Sequence, residues 1–411
     1  MRVRFHAYRF VILGIVTAFL LTACPPLTSL PTGRIDLLYE IDPKGPFLDA
    51  NFLVTKTHLI SYGLGTVAAL DPGAGRYDWE KYFDYPVAPE FLQESNEILL
   101  WPHRFSEEDK LPDPPVIVVL NAETGEETRR IALNVPLELF SQWDPRYIAR
   151  KEDKIYIGAT RGRIAILKKE STGIKHYKTI HIAEIYDVSG YADDPDAFVV
   201  LKVIPDPDTS DLYALATTGP GYSGSKHVYR VSEDGRTVWS AVPHIQPSDI
   251  LLVNDRILSF NYRANLALDA RTGALTDDGP GSTDGTCAEG QYGLHPVWYD
   301  RGNKVIYAPY GVLGAKPPFE WLWSVHDMID RADVVKCLYA PVVSEGFVYY
   351  GGKQMLLVAE AASGRIVDIE TADRRSYELW LDAPVFLVGE YIVVPHQFIH
   401  DQFLAVYKTI D

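Results

Sequence analysis

Cysteine and methionine are rare in this chain of 411 residues, with three of each, and acidic residues outnumber basic ones. There are 39 lysines and arginines against 55 aspartates and glutamates, which gives a formal net charge of −16. A surplus of negative charge repels the phosphates of nucleic acids and the headgroups of anionic lipids. The composition therefore argues against nucleic-acid binding and against membrane binding by charge alone.

Long apolar runs are equally scarce, since the one long run is Phe10–Leu21, close to the N-terminus. It follows three arginines, Arg2, Arg4 and Arg9, with no acidic residue among them. A basic segment followed by about 12 apolar residues is typical of a secretory signal and is too short to span a bilayer as a helix. The sequence therefore predicts a signal peptide over residues 1–23.

The predicted signal ends in Leu21-Thr22-Ala23-Cys24, which resembles the lipobox of bacterial lipoproteins. That resemblance implies cleavage before Cys24 and lipidation of its thiol; the alternative is an ordinary signal peptide with an incidental cysteine. Residues 24–32 are then the lipidated cysteine and a proline-rich tether that reaches about 20 Å. Because Pro25 and not Asp follows the cysteine, the expected location is the periplasmic face of the outer membrane in a Gram-negative host. In a host with one membrane, it is the outer face of the cell membrane.

Glycine and proline are abundant, with 30 and 28 copies, which suits many short strands joined by turns. One turn recurs: an apolar strand end, then Asp or a related residue, then Gly within about four positions, as in Leu268-Asp269 through Gly273. The side-chain oxygen can accept backbone N–H bonds and the glycine supplies a positive φ, so the pattern predicts a β-hairpin corner. The predicted corner residues are Asp71, Gly75, Asn121, Gly125, Gly173, Gly235, Asp269, Gly273 and Gly364.

Successive corner glycines are 38 to 91 residues apart, and the longest interval is interpreted as two units with one eroded corner. A corner every ~45 residues predicts an all-β fold, a β-propeller of four-stranded antiparallel blades. A further corner is split between Thr409–Asp411 and Thr32-Gly33, so the terminal strands share one blade and close the ring. Residues 33–411 are therefore predicted to form one propeller domain of eight blades, with seven as the alternative.

An aromatic residue lies four positions after three of the corner glycines: Trp79, Tyr177 and Trp239. Such a ring in the outer strand is predicted to plug the gap to the neighbouring blade. The combination of corner and aromatic resembles the repeat of quinoprotein-type (PQQ-like) propellers. Dehydrogenases of that family hold their cofactor with an adjacent Cys-Cys pair and a calcium site of Glu, Asn and Asp. This chain has no adjacent cysteines, so the resemblance extends to the fold and implies no cofactor.

Residues 318–331 permit two interpretations. Trp321 to Val325 has the composition of a strand, whereas Leu322, Val325 and Ile329 would share one face of an amphipathic helix. The strand is preferred.

His396, His400 and Asp401 are the best metal candidates, but positions four apart on an extended strand are ~13 Å apart and cannot share an ion unless the loop is tight. The carboxylates of Asp206–Asp211 have calcium-like spacing, which a hairpin turn explains fully. Cys287 and Cys337 are about one blade apart. They are either a disulfide between adjacent blades or two free thiols.

Lipobox, tether and about eight blades together resemble the lipoprotein subunit of the outer-membrane barrel-assembly machinery. That resemblance implies a monomeric, non-catalytic scaffold that binds an envelope protein through interblade loops. The long insertions at 104–115, 186–196 and 276–292 are the expected binding face. The alternative is an enzyme or small-ligand binder that takes a saccharide or a quinone-type cofactor in the central funnel. Exposed loop aromatics such as Trp321 and Trp323 would favour the scaffold.

Overall fold

The structure is a computed structural model, in which all the regular elements described are β-strands. It describes residues 35, 37–42, 51–63, 65–103, 111–135, 143–171, 173–182, 198–218, 225–241, 249–260, 265–281, 297–308, 310–325, 338, 341–352, 355–371, 385–397 and 402–410. Among these residues no helix is long and apolar enough to cross a bilayer.

The first sixteen strands are β1 (Leu37–Ile41), β2 (Asn51–Val54), β3 (Leu59–Gly63), β4 (Thr66–Asp71), β5 (Arg76–Tyr82), β6 (Val87–Leu92), β7 (Glu97–Pro102), β8 (Val116–Asn121), β9 (Glu127–Asn134), β10 (Trp143–Lys151), β11 (Lys154–Ala159), β12 (Arg163–Glu170), β13 (Gly173–His181), β14 (Phe198–Pro205), β15 (Leu212–Thr218) and β16 (Ser225–Val231). The remaining strands are β17 (Thr237–Ala241), β18 (Asp249–Val253), β19 (Arg256–Phe260), β20 (Asn265–Asp269), β21 (Leu275–Gly281), β22 (Trp298–Asp300), β23 (Val305–Ala308), β24 (Gly311–Gly314), β25 (Trp321–Ser324), β26 (Val342–Ser344), β27 (Phe347–Gly352), β28 (Met355–Glu360), β29 (Ile366–Thr371), β30 (Phe386–Val388), β31 (Tyr391–Gln397) and β32 (Gln402–Lys408).

These strands form eight antiparallel units of four, numbered along the chain. Units 1 to 7 each use four consecutive strands, from β2–β5 to β26–β29. Unit 8 combines β30, β31 and β32 with β1, whose Leu37 pairs with Tyr407. The predicted all-β propeller closed by its terminal strands is therefore confirmed, and the described units agree with eight blades. Units 2 and 3 are also joined edge to edge, because the outer strands β9 and β13 pair in parallel.

The core lies between neighbouring units, because alternate residues of a strand face opposite sides of its sheet. In β8, Ile117 and Val119 pack against unit 3, whereas Val118 and Leu120 pack against unit 1. This explains the nearly continuous apolar run in that strand. Eight such clusters connect the units in a closed circle, and the last joins units 8 and 1.

The strand interpretation is confirmed for Trp321–Ser324, which form β25 of unit 6. It pairs with β24 across a register shift between Val312 and Leu313. Residues 326–331 lie outside the described ranges.

Candidate functional site

Each unit presents two ends, which differ in the connections they carry. The first strands of neighbouring units contact one another, for example β2 with β6 and with β30, so the first strands surround the centre and the fourth strands form the rim. We call the end with the turns between first and second and between third and fourth strands the corner face. The opposite end, with the connections between units and between second and third strands, is the loop face.

The corners owe their shape to local hydrogen bonds. In unit 5, Oδ1 of Asp269 accepts the backbone N–H groups of Arg271 at 3.1 Å and Thr272 at 2.8 Å, and the Thr272 hydroxyl at 2.8 Å. The bond from the Thr272 hydroxyl is the main reason why the pKa of Asp269 lies below its usual range. Gly273 follows with a φ of +73°, a conformation that glycine adopts without strain.

Three tryptophans connect a fourth strand to the corner of the next unit. The indole N–H of Trp79 donates to the Ala122 carbonyl at 3.3 Å, that of Trp239 to Ala270 at 3.1 Å, and that of Trp323 to Ala361 at 2.8 Å. Each ring also covers a corner glycine, so that a Cβ on Gly125, Gly273 or Gly364 would lie 2.5 to 2.6 Å from an indole carbon. These contacts fix the rotation of one unit against the next.

Sequence reasoning missed Trp323 as a plug. Its own unit lacks the glycine from which the offset of four is counted. The usable signal lay in the accepting corner, Glu360-Ala361 through Gly364, which needs a ring from the preceding unit. Trp323 is 4 % exposed and Trp321 is partly buried against the core between units 5 and 6, so neither is the exposed loop aromatic that would favour the scaffold.

The prediction that Tyr177 plugs a gap is wrong, because its side chain is 51 % exposed. The register shift between Ile166 and Leu167 leaves Tyr177 itself without a paired residue, whereas the corresponding shift in unit 1 leaves out Asp78 and pairs Trp79 with Ala69. As a result, Ile180 and not Tyr177 packs beside Gly235, the corner glycine of unit 4. The ammonium groups of Lys154 and Lys178 lie 5.7 and 5.5 Å from the centre of the exposed phenol ring.

Charged side chains on the first strands bind neighbouring units to each other. Glu90 of unit 2 accepts two hydrogen bonds from Arg150 of unit 3, at 2.5 and 2.6 Å, and one from the buried indole of Trp101 at 2.8 Å. Lys202 of unit 4 donates at 2.6 Å to Asp249 of unit 5, whose carboxylate is 1 % exposed. Asp249 also accepts the N–H of Val297 at 3.1 Å, which adds unit 6 to the same contact.

Sequence reasoning missed these ties. Glu90 and Arg150 are 60 residues apart, and Lys202 and Asp249 are 47 apart. Opposite charges on first strands one blade period apart were the signal that could have found them.

The Asp206–Asp211 segment is a turn whose polar groups are satisfied within the protein. Oδ1 of Asp206 accepts the N–H groups of Asp208 and Thr209, and Oδ2 accepts the Tyr213 hydroxyl at 3.1 Å. Burial alone would raise the pKa of Asp206, but these hydrogen bonds outweigh it and hold the pKa low. The Lys151 ammonium donates to the carbonyl oxygens of Asp206 and Thr209, both at 2.6 Å, and Arg230 donates to Oδ2 of Asp211 at 2.9 Å, so side-chain cations of the protein already bind oxygens of this turn.

Within the described residues there is no group of three or more His, Cys, Asp or Glu side chains that could hold a metal ion. His396 lies in β31, paired with Phe403, whereas His400 and Asp401 lie outside the described residues. The adjacent cysteine pair of the dehydrogenases has no counterpart in this sequence, because the three cysteines stand at positions 24, 287 and 337.

Cys24, Cys287 and Cys337 all lie outside the described residues. So do the signal peptide, the tether and most of the insertions at 104–115, 186–196 and 276–292; of the last, residues 276–281 belong to β21. The predicted lipidation, disulfide and loop binding face therefore remain predictions.

No protein-family model and no curated protein matches the chain. Solved structures do match in fold. One is "The crystal structure of BamB from Moraxella catarrhalis", with 11 % identity, 91 % of this chain and 99 % of that chain covered, and a TM-score of 0.50. Another is "Europium-containing methanol dehydrogenase", with 11 % identity, 91 % and 93 % coverage, and a TM-score of 0.52. With its corners, docked tryptophans and closed ring, the chain has the fold of the PQQ-like, quinoprotein-type β-propellers.

Proposed function

We propose that this protein is a lipid-anchored extracytoplasmic scaffold, held to a membrane through Cys24, that binds an envelope protein and performs no catalysis. The fold supports this role, because a rigid ring presents many loops on one face. The likeness to BamB covers almost the whole of both chains. We propose further that this scaffold serves in the assembly of envelope or outer-membrane proteins.

One observation carries the proposal more than any other: carboxylates of two first strands bind neighbouring units together. Glu90 is bonded to Arg150, and Asp249 to Lys202. A general acid or base must be held within hydrogen-bond reach of a substrate. Here the two carboxylates accept bonds from cations and from N–H groups, an arrangement that stiffens a ring.

Lipidation is tested by mass spectrometry of the mature N-terminus and by membrane fractionation in a bacterial host. Wild-type protein is expected in the membrane fraction with a diacylglyceryl group on Cys24, and an inhibitor of lipoprotein signal peptidase should cause the unprocessed form to accumulate. Cys24→Ser should abolish both lipid and inhibitor sensitivity, whereas Cys287→Ser, as the matched control, should change neither. Wild-type protein without lipid would refute the anchor.

The partner is tested by crosslinking in intact cells of the native host, followed by purification from detergent-solubilised membranes. Recovery of one defined envelope protein together with the wild-type protein supports the scaffold. Without crosslinker, high salt should remove only part of that envelope protein from the complex. Recovery of no protein partner, together with tight binding of a quinone or a saccharide, refutes it.

An enzyme or small-ligand binder is the second candidate, favoured by the likeness in fold to a methanol dehydrogenase. It requires a ligand in the central funnel. Thermal unfolding of the purified protein with a pyrroloquinoline quinone and Ca²⁺, and separately with saccharides, distinguishes the candidates. A saturable rise in Tm with either ligand would support this role over the scaffold.

A further inference from the structure

Both ends of the propeller domain are fixed at the corner face. The backbone N–H of Ile35 donates at 2.7 Å to Oδ2 of Asp368, which is fully buried in unit 7. At the other end of the chain, the N–H of Ile410 donates to the Tyr349 hydroxyl at 2.9 Å and that of Thr409 to the carbonyl of Glu390 at 2.9 Å. Glu390 belongs to the turn between the first and second strands of unit 8, which is part of the corner face.

The direction of β1 then determines where the preceding chain emerges. Leu37, the first residue of β1, pairs with Tyr407 near the end of β32, whereas Ile41 pairs with Leu404 further from that end. β1 therefore begins at the corner face and runs towards the loop face. Because β1 is the fourth strand of unit 8, the described part of the chain begins at the corner face, with Ile35.

The distance to the lipid is limited. Eleven residue steps separate Cys24 from Ile35, so even a fully extended tether spans at most about 40 Å. The seven residues of β32 give unit 8 a height of roughly 23 Å at ~3.3 Å per residue. To bring the loop face against the bilayer, the tether would have to run the full height of the rim, which uses more than half of its reach.

From this placement we infer that the corner face at units 7 and 8 is turned towards the membrane, and that the loop face is presented to the aqueous compartment. This inference rests on the proposed lipidation of Cys24.

The test is energy transfer in vesicles that carry the acylated full-length protein. A clickable non-natural amino acid placed at Glu390 on the corner face, or at Asp84 on the loop face, receives a donor dye, and a headgroup-labelled lipid is the acceptor. Asp84 is exposed in the connection between units 1 and 2, and unit 1 adjoins unit 8, so the two sites differ mainly in height. Because neither labelling reaction uses a thiol, the three cysteines of the chain are not substituted or labelled.

Transfer from position 390 should exceed transfer from position 84, in line with a height difference of roughly 20 Å. Equal transfer, or stronger transfer from position 84, in protein whose acylation is verified by mass spectrometry, overturns the orientation and leaves the anchor intact. Absence of acylation overturns both. Lengthening the tether by 20 Gly/Ser residues is a control that should reduce the difference between the two positions, because a longer tether permits other orientations.

Discussion

Trp323 donates its indole N–H at 2.8 Å to the carbonyl oxygen of Ala361, and its ring lies directly over Gly364 in the same corner. The bond joins units 6 and 7 across 38 residues of chain. A side chain on Gly364 would meet the indole at 2.5 Å. The indole can therefore occupy this position only because residue 364 has no side chain.

Gly364→Ala is expected to destabilise the protein more than Gly346→Ala. Both glycines have positive φ, +71° and +82°, so both substitutions incur the cost of about 1–2 kcal/mol for a left-handed alanine. A Cβ at Gly346 meets nothing within 4 Å, whereas one at Gly364 clashes with Trp323. The clash should add about 1–3 kcal/mol. Chemical denaturation of the two variants measures the difference, and equal losses would show that the ring yields freely.

Lys202→Met is expected to cost about 3 kcal/mol, the low end for breaking a buried ion pair by removing one partner. It leaves the buried Asp249 carboxylate with two backbone N–H groups and with the positive charge of Lys226, which also interacts with it. The matched control is Lys408→Met, which breaks an exposed pair with Glu390 and should cost less than about 1 kcal/mol. Urea unfolding compares the two. A loss for Lys202→Met as small as the control would mean that this tie does not stabilise the ring.

Local chemistry explains how much of the fold could be predicted. Asp269 and Gly273 form their corner with bonds that span two to five residues, so the sequence is sufficient to recognise it. The split corner likewise indicated where the ring closes. Counting the corners then predicted the units, including the one whose own corner is eroded.

The contacts between units could not be predicted in the same way. Tyr177 has the same offset from its glycine as Trp79, yet the register shift of its strand leaves out Tyr177 itself, whereas that of β5 leaves out Asp78, so Tyr177 is exposed and Trp79 is buried. Whether a ring docks depends on the corner of the next unit, tens of residues away. The Lys202–Asp249 bond depends on how two separate strands meet at the centre, which no spacing within one strand reveals.

Asp368→Asn is expected to loosen the closure of the ring. The Asp368 carboxylate accepts the N–H groups of Ile35 and Ile369, and an amide would turn a donor towards one of them. Since the site is fully buried, the loss should be about 2–3 kcal/mol. Hydrogen exchange should accelerate most in β1. Asp300→Asn is the control, because exposed Asp300 also accepts two backbone N–H groups but water can replace it. Unchanged exchange in β1 would contradict the closing role of Asp368.

Alkaline pH should weaken the same closure through Tyr39. This residue of β1 packs its ring against Gly75 of unit 1, and burial, with contributions from Tyr391 and Asp71, raises its pKa to about 12. The pKa of tyrosine in an unfolded chain is about 10. Because the folded pKa is the higher one, the stabilisation is fully present below pH 10 and is lost as the pH rises from 10 through 12.

Tyr39→Phe keeps the ring and removes the titration, so its free energy of unfolding should fall less between pH 10 and pH 12 than that of the wild type. Other buried tyrosines contribute to the fall in both proteins, and the difference between the curves isolates Tyr39. Tyr177→Phe, at an exposed position, should follow the wild-type curve. Parallel curves for wild type and Tyr39→Phe over this range would show that ionisation of Tyr39 does not open the junction between units 8 and 1.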